Sequence, residues 1–143
     1  MIKLVKTKEE LIACYRIRKM VFIEEQSVSY EEEFDLLDDE YLVYLSYDGT
    51  TSVATARAKR LDHEVKAGRV CTLLSYRGQG HAKALMEEII RYGRQEKVDR
   101  IILDAQLTAI PFYEKIGFTC IGDIFLDANI EHKKMVYLLT KEN

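Results

Sequence analysis

The residues Ser75-Tyr76-Arg77-Gly78-Gln79-Gly80-His81-Ala82 place two glycines between an apolar run and an amphipathic run. Glycine permits backbone conformations and close approaches that a side chain would block. A helix that begins here would direct unpaired N–H groups and its positive dipole end towards an anion. The pattern therefore predicts a phosphate cradle. No Gly-Lys-Ser/Thr follows the glycines, which argues against a nucleotide-binding P-loop.

The composition predicts one domain over residues 1–143. The chain is 48% hydrophobic and 31% charged, with one proline and seven glycines, and it is long enough to bury a core without disulfides. Cys14, Cys71 and Cys120 lie outside any Cys/His metal pattern, so we expect reduced thiols and no metal site. No apolar run reaches the roughly 20 residues of a membrane span, and the first residues lack the apolar region of a signal peptide, which predicts a cytoplasmic protein without membrane contact.

Charge limits the choice of partner. A net charge of −3 argues against nucleic-acid binding, which needs a concentrated basic surface. No Lys or Arg lies between Lys19 and Arg57, whereas ten Asp and Glu residues do. This acidic segment predicts a cationic partner or substrate, and the alternative is an ordinary solvated acidic surface.

Apolar periodicity and capping signals predict the elements that position the glycine loop. Thr7 and Glu10 form a capping box, Asp48-Gly49 predicts a hairpin turn, and Gly117 predicts a helix end. The order β α α β β β α β α β β predicts a mixed α/β (α+β) fold: a central, mostly antiparallel sheet flanked by helices, with one crossover helix between strands four and five. The predicted strands are 2–6, 41–47, 52–61, 68–74, 100–105, 118–125 and 135–140, and the predicted helices are 8–22, 31–37, 82–97 and 109–116.

The unit Arg77-x-x-Gly80-x-Ala82 resembles the Gln/Arg-x-x-Gly-x-Gly/Ala signature of the GNAT N-acetyltransferase superfamily. The segment Phe112-Tyr113-Glu114-Lys115-Ile116-Gly117-Phe118 comes where that superfamily places its late helix, and the element order resembles the GNAT fold. Residues 18–26, 53–57, 103–106 and 125–128 resemble the small bacterial ElaA/YjcF-like branch. The sequence departs from the usual pattern at Thr72, at His81-Ala82 and at Asn129-Ile130-Glu131-His132.

The resemblance implies that acetyl-CoA is the co-substrate and that an amine attacks its thioester directly. Arg77 would add positive charge beside the pyrophosphate, and Gln106 and Phe112 would position the cofactor. Backbone groups would supply the other contacts: N–H groups of Gly78, Gln79, Gly80, His81 and Ala82 on the pyrophosphate, and the strand edge at Cys71, Thr72 and Leu73 along the pantetheine amides and the thioester oxygen.

The resemblance also implies the groups that move protons. Tyr113 is expected to protonate the departing thiolate, because a phenol stays protonated at neutral pH. A base must deprotonate the amine, directly or through water, and the candidates are Glu25, Glu32 and a loop histidine, His132. An acyl-enzyme on Cys71 is less favoured, because no His or Asn arrangement marks an activated nucleophile.

The sequence thus predicts a bacterial N-acetyltransferase that acts on a small amine and is compatible with a homodimer. The alternative is a non-catalytic acyl-CoA sensor, which would need the glycine loop and the strand but neither Tyr113 nor a base. The presence of Tyr113 favours an acetyltransferase over a sensor.

Overall fold

The computed structural model describes residues 1–35 and 38–139. Within these residues seven strands and four α-helices alternate in the predicted order. The strands are β1 (Ile2–Leu4), β2 (Leu42–Asp48), β3 (Thr51–Leu61), β4 (Glu64–Thr72), β5 (Arg100–Gln106), β6 (Thr119–Asp127) and β7 (Ile130–Leu138). The helices are α1 (Lys8–Arg18), α2 (Tyr30–Glu33), α3 (His81–Gln95) and α4 (Ile110–Ile116), and a π-helical segment, Lys19–Glu25, continues α1.

The strands form one sheet in the order β1-β2-β3-β4-β5-β7-β6. Neighbouring strands are antiparallel except β4 and β5, which run parallel and are joined through α3. A parallel pair needs such a crossover, because the chain must return to the same end of the sheet. The predicted mostly antiparallel sheet and the predicted crossover helix are confirmed.

A cleft opens between β4 and β5. In the described part of the chain the two strands pair over Glu64–Lys66 and Arg100–Ile102, and then continue to Thr72 and Gln106 without pairing with each other. Near the point of divergence the register of β4 on β3 shifts, and Arg69 has a φ of 52°. Such a bulge bends a strand and interrupts its pairing. The bulge therefore explains why β4 leaves β5 and exposes part of its edge.

Two apolar layers hold the sheet. On one face, α3 buries Leu85, Met86 and Ile89 against Ala56 and Val65. On the other face α1 and the π-helical segment pack on β2 and β4 in a second cluster, whose buried members are Cys14, Ile17, Val21, Val43, Leu45 and Cys71. Side chains alternate along β2, and the bulge in β4 turns Cys71 to the face opposite Val65, so both strands contribute to both layers.

Several boundaries differ from the predicted ones. The α-helical hydrogen bonding of α1 ends at Arg18, and the π-helical segment replaces the rest of the predicted single helix. The final strand begins at Ile130, five residues earlier than predicted, because Ala128 and Asn129 both have positive φ and form a tight turn. In place of the helix predicted over 31–37, the structure has the single turn α2. Residues 36 and 37 of that predicted helix, and residue 140 of the last predicted strand, lie outside the described residues.

The predicted start of α1, the predicted β2–β3 hairpin and the predicted end of α4 are confirmed. Thr7 Oγ1 accepts a hydrogen bond from Glu10 N at 3.1 Å, and Glu10 Oε1 accepts one from Thr7 N at 3.0 Å, which completes the capping box. Gly49 has a φ of 61° in the β2–β3 hairpin, and Gly117 has a φ of 125° at the end of α4. Pro111 lies in the first turn of α4, where its missing N–H costs nothing.

Candidate active site

The glycine loop has the geometry of an anion cradle. Gly78 and Gly80 have φ values of 80° and 91°, a region that L side chains enter at a cost. Gly80 is the N-cap of α3, and within residues 1–35 and 38–139 no side chain caps this end of the helix. The N–H groups of the first turn are therefore free to bind an anion, with the helix dipole favouring negative charge.

A cavity of about 870 Å³ runs from the glycine loop through the β4–β5 cleft to the β6–β7 hairpin. A volume of this order holds a cofactor-sized molecule. Among the expected site residues and candidate bases, the cavity is lined by Glu32, Cys71, Thr72, Arg77, Gly78, Gly80, His81, Ala82, Gln106, Phe112, Tyr113 and His132. Leu73, Gln79 and Glu25 are not part of the lining that the described residues form.

The edge of β4 determines which backbone groups face the cleft. Leu73 N donates to Val53 O on β3 at 2.9 Å, so this N–H is not directed at the cleft. Successive N–H groups of a strand point to opposite edges, which directs Thr72 N–H towards the open edge. Thr72, rather than Leu73, therefore has the backbone donor that can meet a ligand in the cleft.

Tyr113 lies on α4 beside the cleft and is 7% exposed. Its ring makes edge contacts with Phe112 and Phe118, at centroid distances of 4.9 and 5.8 Å. Burial, and to a smaller extent the neighbouring Cys71 thiol, raises the pKa of the Tyr113 phenol above its ordinary value. The phenol is therefore a fixed, fully protonated donor at the edge of the cavity.

Cys71 lies on β4 in the same cavity and is 6% exposed. Burial raises the pKa of its thiol far above the ordinary value. A nucleophilic cysteine needs the thiolate form, which a positive or polar environment favours and an apolar one disfavours. The environment of Cys71 therefore disfavours an acyl-enzyme.

Glu25 lies at the end of the π-helical segment and forms a two-pronged ion pair with Arg77. Arg77 Nη1 donates to Glu25 Oε2 at 2.7 Å and Nη2 donates to Oε1 at 2.6 Å. Arg77 Nε also donates to Thr72 O at 2.9 Å, which fixes the guanidinium at the end of β4. The hydrogen bonds from Arg77 hold the pKa of Glu25 below its usual range, which makes this carboxylate a weak base.

His132 lies in β7 rather than in the expected loop, because the turn at Ala128 and Asn129 starts the strand early. It is 8% exposed and stacks on Phe125 at 5.8 Å between ring centroids. Its Nδ1 lies 2.7 Å from Ile130 O. A carbonyl oxygen can only accept, so Nδ1 carries the proton and the neutral ring has its lone pair on Nε2.

Gln106 ends β5 directly opposite His132 in the β5–β7 register. Directly opposed residues of an antiparallel pair project on the same face of the sheet, about 5 Å apart at Cβ. The Gln106 side chain donates through Nε2 to Gln26 Oε1 at 2.8 Å. Gln26, which follows Glu25, was not among the expected site residues, because the sequence contains no sign that the end of the first helix reaches β5.

The acidic segment contains buried ion pairs that sequence reasoning did not find. Arg18 is 1% exposed and donates to Glu33 Oε2 at 2.6 Å and to Asp38 Oδ1 at 2.7 Å. Arg57 donates to Asp38 at 3.2 Å, and its guanidinium carbon lies 4.1 Å from the centroid of the Tyr41 ring. These contacts attach the acidic segment to α1 and β3.

Arg69, the bulged residue of β4, contributes to the same cluster. Its Nε lies 2.9 Å from Glu33 Oε1, and its Nη2 donates to Asp35 Oδ2 at 3.3 Å. Arg57 Nη2 donates to the same Asp35 oxygen at 2.7 Å. Three arginines thus balance Glu33, Asp35 and Asp38, so these three carboxylates of the acidic segment bind cations of the protein itself.

A cleft between diverging parallel strands that ends at a glycine-initiated helix is the kind of site that binds a phosphate-bearing molecule. Residues 6–139 match the family model of the acetyltransferase (GNAT) domain, and the chain belongs to this family. It is 35% identical over 132 residues to the uncharacterized N-acetyltransferase YjcF of Bacillus subtilis (strain 168), covering 92% of this chain and 94% of YjcF.

Solved structures have the same fold. An acyl-CoA N-acyltransferase from Pseudomonas aeruginosa is 27% identical with a TM-score of 0.82, covering 96% of this chain and 97% of that one. Escherichia coli ElaA is 22% identical with a TM-score of 0.80, covering 96% and 99%. The predicted family, its ElaA/YjcF-like branch, the fold and the enzyme class are therefore confirmed.

Membrane helices and metal centres are both absent from residues 1–35 and 38–139. No helix in these ranges is both long enough and apolar enough to cross a bilayer. Nor do their His, Cys, Asp and Glu side chains form a group of three or more that could hold a metal ion.

Proposed function

We propose that the protein transfers the acetyl group of acetyl-CoA to a primary amine by direct attack on the thioester, with Tyr113 as general acid. The observation that carries this proposal is the position of the Tyr113 phenol, which lines the β4–β5 cleft together with Cys71 and the glycine loop. An acyl-CoA whose phosphates occupy the loop and whose pantetheine follows β4 would bring its thioester towards this phenol.

The cofactor site divides into an anionic and a neutral part. The N–H groups of the glycine loop and of the first turn of α3, from Gly78 to Ala82, bind the pyrophosphate. The open edge of β4 bonds the pantetheine as an added strand would, and Thr72 N–H meets the thioester oxygen. Arg77 contributes less charge than its motif implies, because Glu25 compensates it.

Tyr113 supplies the proton that the departing thiolate needs. Burial keeps the phenol protonated, and the rings of Phe112 and Phe118 fix its direction. A donor that is held in place loses no conformational freedom when the thiolate forms. The same burial excludes water, which would otherwise compete to hydrolyse the thioester.

His132 is the base that the geometry favours among the three candidates. Its Nδ1 proton is held by Ile130 O, so Nε2 can accept a proton from the amine directly or through water. Glu25 is engaged by Arg77, and Glu32 is exposed and binds Ser29 at the start of α2. His132 also lies beside Gln106, at the end of the cleft opposite the glycine loop.

The proposal is tested by a screen of amines with acetyl-CoA, in which release of the free CoA thiol is followed. The library contains cationic, neutral and acidic primary amines at two ionic strengths. We expect thiol release that depends on one class of amine, and an acetylated amine in equal amount. Tight CoA binding with no turnover on any amine would instead identify a non-catalytic acyl-CoA sensor.

A further inference from the structure

Two consecutive residues at the end of the π-helical segment contact the two sides of the β4–β5 cleft. Glu25 contacts the β4 side through Arg77, and Gln26 contacts the β5 side through Gln106. The partners are 52 and 80 residues away in sequence. We refer to Glu25 and Gln26 together as the clasp, because they connect the tips of two strands that do not pair with each other there.

The contact between Glu25 and Arg77, on the β4 side, is held by several hydrogen bonds although both side chains are partly exposed. The Arg77 guanidinium donates two parallel hydrogen bonds to the Glu25 carboxylate and a third to Thr72 O. Two-pronged Arg–carboxylate pairs are the more stable and directional kind. Arg77 also precedes Gly78, the first glycine of the loop, so the carboxylate of Glu25 is attached to the phosphate cradle itself.

The contact on the β5 side leads to the proposed base. Gln106 donates to Gln26 and stands directly opposite His132 in the sheet. The three side chains line the same end of the cavity. A change in the position of Gln26 therefore acts on Gln106 and on the space in front of His132.

We propose that the clasp is a positioning device that couples the cofactor loop to the acceptor end of the site. The proposal rests on the proposed acetyl transfer. Glu25 and Gln26 hold the tips of β4 and β5 at the separation that places the thioester in front of the incoming amine. Binding of CoA phosphates to the loop fixes the position of Arg77. Through the ion pair of Arg77 with Glu25, it also fixes the position of the segment that faces the amine. Glu25 is a positioning residue in this account, and His132 takes the proton.

The first experiment compares Glu25→Gln, Arg77→Gln and their double variant with Glu24→Gln. Glu24 is a matched control, since it is the adjacent glutamate and its pair with Lys19 is long, at 3.9 Å, and more than half exposed on both sides. For the best amine of the screen, we expect Glu25→Gln to lower kcat/KM for the amine about tenfold through misplacement of the reacting atoms. The double variant should be no worse than Arg77→Gln alone, because each single variant already breaks the two-pronged ion pair.

CoA affinity and pH dependence separate positioning from other roles. We expect the dissociation constant of CoA, measured by calorimetry, to change less than about threefold in Glu25→Gln, because the backbone of the loop holds the phosphates. The acidic limb of the pH profile should remain. Its loss in Glu25→Gln would make Glu25 the base, and an amine kcat/KM equal to that of Glu24→Gln would remove the clasp from the reaction. Either result overturns the proposal.

Two variants of Gln26, one that keeps a hydrogen-bond acceptor for Gln106 and one that removes it, test the contact on the β5 side. Gln26→Glu keeps an oxygen that can accept from Gln106, whereas Gln26→Leu removes it, so we expect amine kinetics to survive the first change and to weaken in the second. Equal losses in both variants would contradict a role through Gln106.

Hydrogen exchange tests the clasp without turnover. We expect the peptide covering residues 19–26 to exchange more slowly in the native protein than in Glu25→Gln, and CoA to slow it further only in the native protein. Equal exchange in both proteins would exclude the clasp, even in an active enzyme. An inactive native protein with protected exchange would instead exclude the proposed reaction and leave the clasp standing.

Discussion

Tyr113 and His132 line one cavity from two different elements, α4 and β7, and their hydrogen-bonding groups suit different tasks. An apolar environment keeps the phenol of Tyr113 protonated. A backbone carbonyl fixes the tautomer of His132 so that Nε2 is free to accept. The transfer of an acetyl group to an amine requires a donor for the departing thiolate and an acceptor for the proton of the amine.

Tyr113→Phe removes the phenol oxygen and leaves the packing against Phe112 and Phe118. We expect kcat to fall by about 10² to 10⁴, the usual contribution of a general acid, while CoA affinity stays within about twofold because the cofactor's phosphates are bound elsewhere. Tyr137→Phe is the control, since Tyr137 packs on the same Phe118 but its hydroxyl pairs with Arg94 away from the cavity. Equal kcat in native and Tyr113→Phe proteins would refute the assignment.

His132→Gln tests the base. Glutamine can still donate to Ile130 O but cannot take a proton, so we expect kcat for the amine to fall by about 10² or more with CoA binding unaltered in calorimetry. His63→Gln serves for comparison, because His63 is exposed in the turn between β3 and β4. If turnover is retained in His132→Gln but lost in Glu32→Gln, the base is Glu32.

Single residues were predicted well where the backbone alone determines their role. The two glycines of the loop have the expected positive φ because no other residue adopts it cheaply. The partners of Glu25 and Gln26 could not be predicted, because both contacts bring together residues far apart in sequence. His132 was predicted in a loop since alanine at a positive-φ turn position, Ala128, carries no turn signal.

At the scale of elements, the junction of β4, the glycine loop and α3 forms the cofactor site. Gly80→Ala forces a side chain onto a φ of 91° at the N-cap of α3, at a cost of about 1–2 kcal/mol or a shift of the loop. We expect CoA to bind about tenfold more weakly, because displaced N–H groups no longer converge on the phosphates. Isothermal calorimetry with CoA measures the change.

Gly49→Ala is the matched control for Gly80→Ala. Gly49 also has a positive φ, 61°, and no atom of the described residues lies within 4 Å of the place that a Cβ would take, but it belongs to the β2–β3 hairpin. The two variants should lose similar stability, whereas CoA affinity should fall in Gly80→Ala alone. An equal fall in both would mean that the loop conformation has no specific part in binding.

The elements themselves were largely predictable from sequence. Thr7 and Glu10 predicted the start of α1 correctly, as Asp48-Gly49 predicted the first hairpin. The π-helical segment was not predicted, because the change to i→i+5 hydrogen bonding continues the same helix and no residue type marks it in the sequence. This unpredicted segment is the one that delivers Glu25 and Gln26 to the cleft.

At the scale of the whole molecule, the buried ionic cluster attaches the acidic segment to the sheet. Arg18→Met should lower the free energy of unfolding by about 3–5 kcal/mol, because Glu33 and Asp38 lose their shared cation while remaining buried. Chemical denaturation measures the loss. Arg16, two residues earlier in α1, contacts Ser52 instead, so Arg16→Met should cost far less. A loss no larger in Arg18→Met than in Arg16→Met would show that the cluster does not anchor the segment.

The order of elements and the crossover were predictable, since strand, glycine loop and helix follow one another directly in the chain. The balance of charge in the acidic segment was not predictable. The acidic segment predicts a cationic partner when it is considered alone, and its counterions Arg18, Arg57 and Arg69 come from three other elements. Only their arrangement in space shows that much of the negative charge is already neutralised.

Direct transfer in a ternary complex is the central claim, and intact-mass analysis during turnover tests it most directly. The native protein is mixed with acetyl-CoA alone and then with the amine selected by the screen. We expect an unmodified chain in both samples, with one thiol released for each acetylated amine and only after the amine is added. An acetyl group on Cys71, or thiol release before the amine is present, would contradict it.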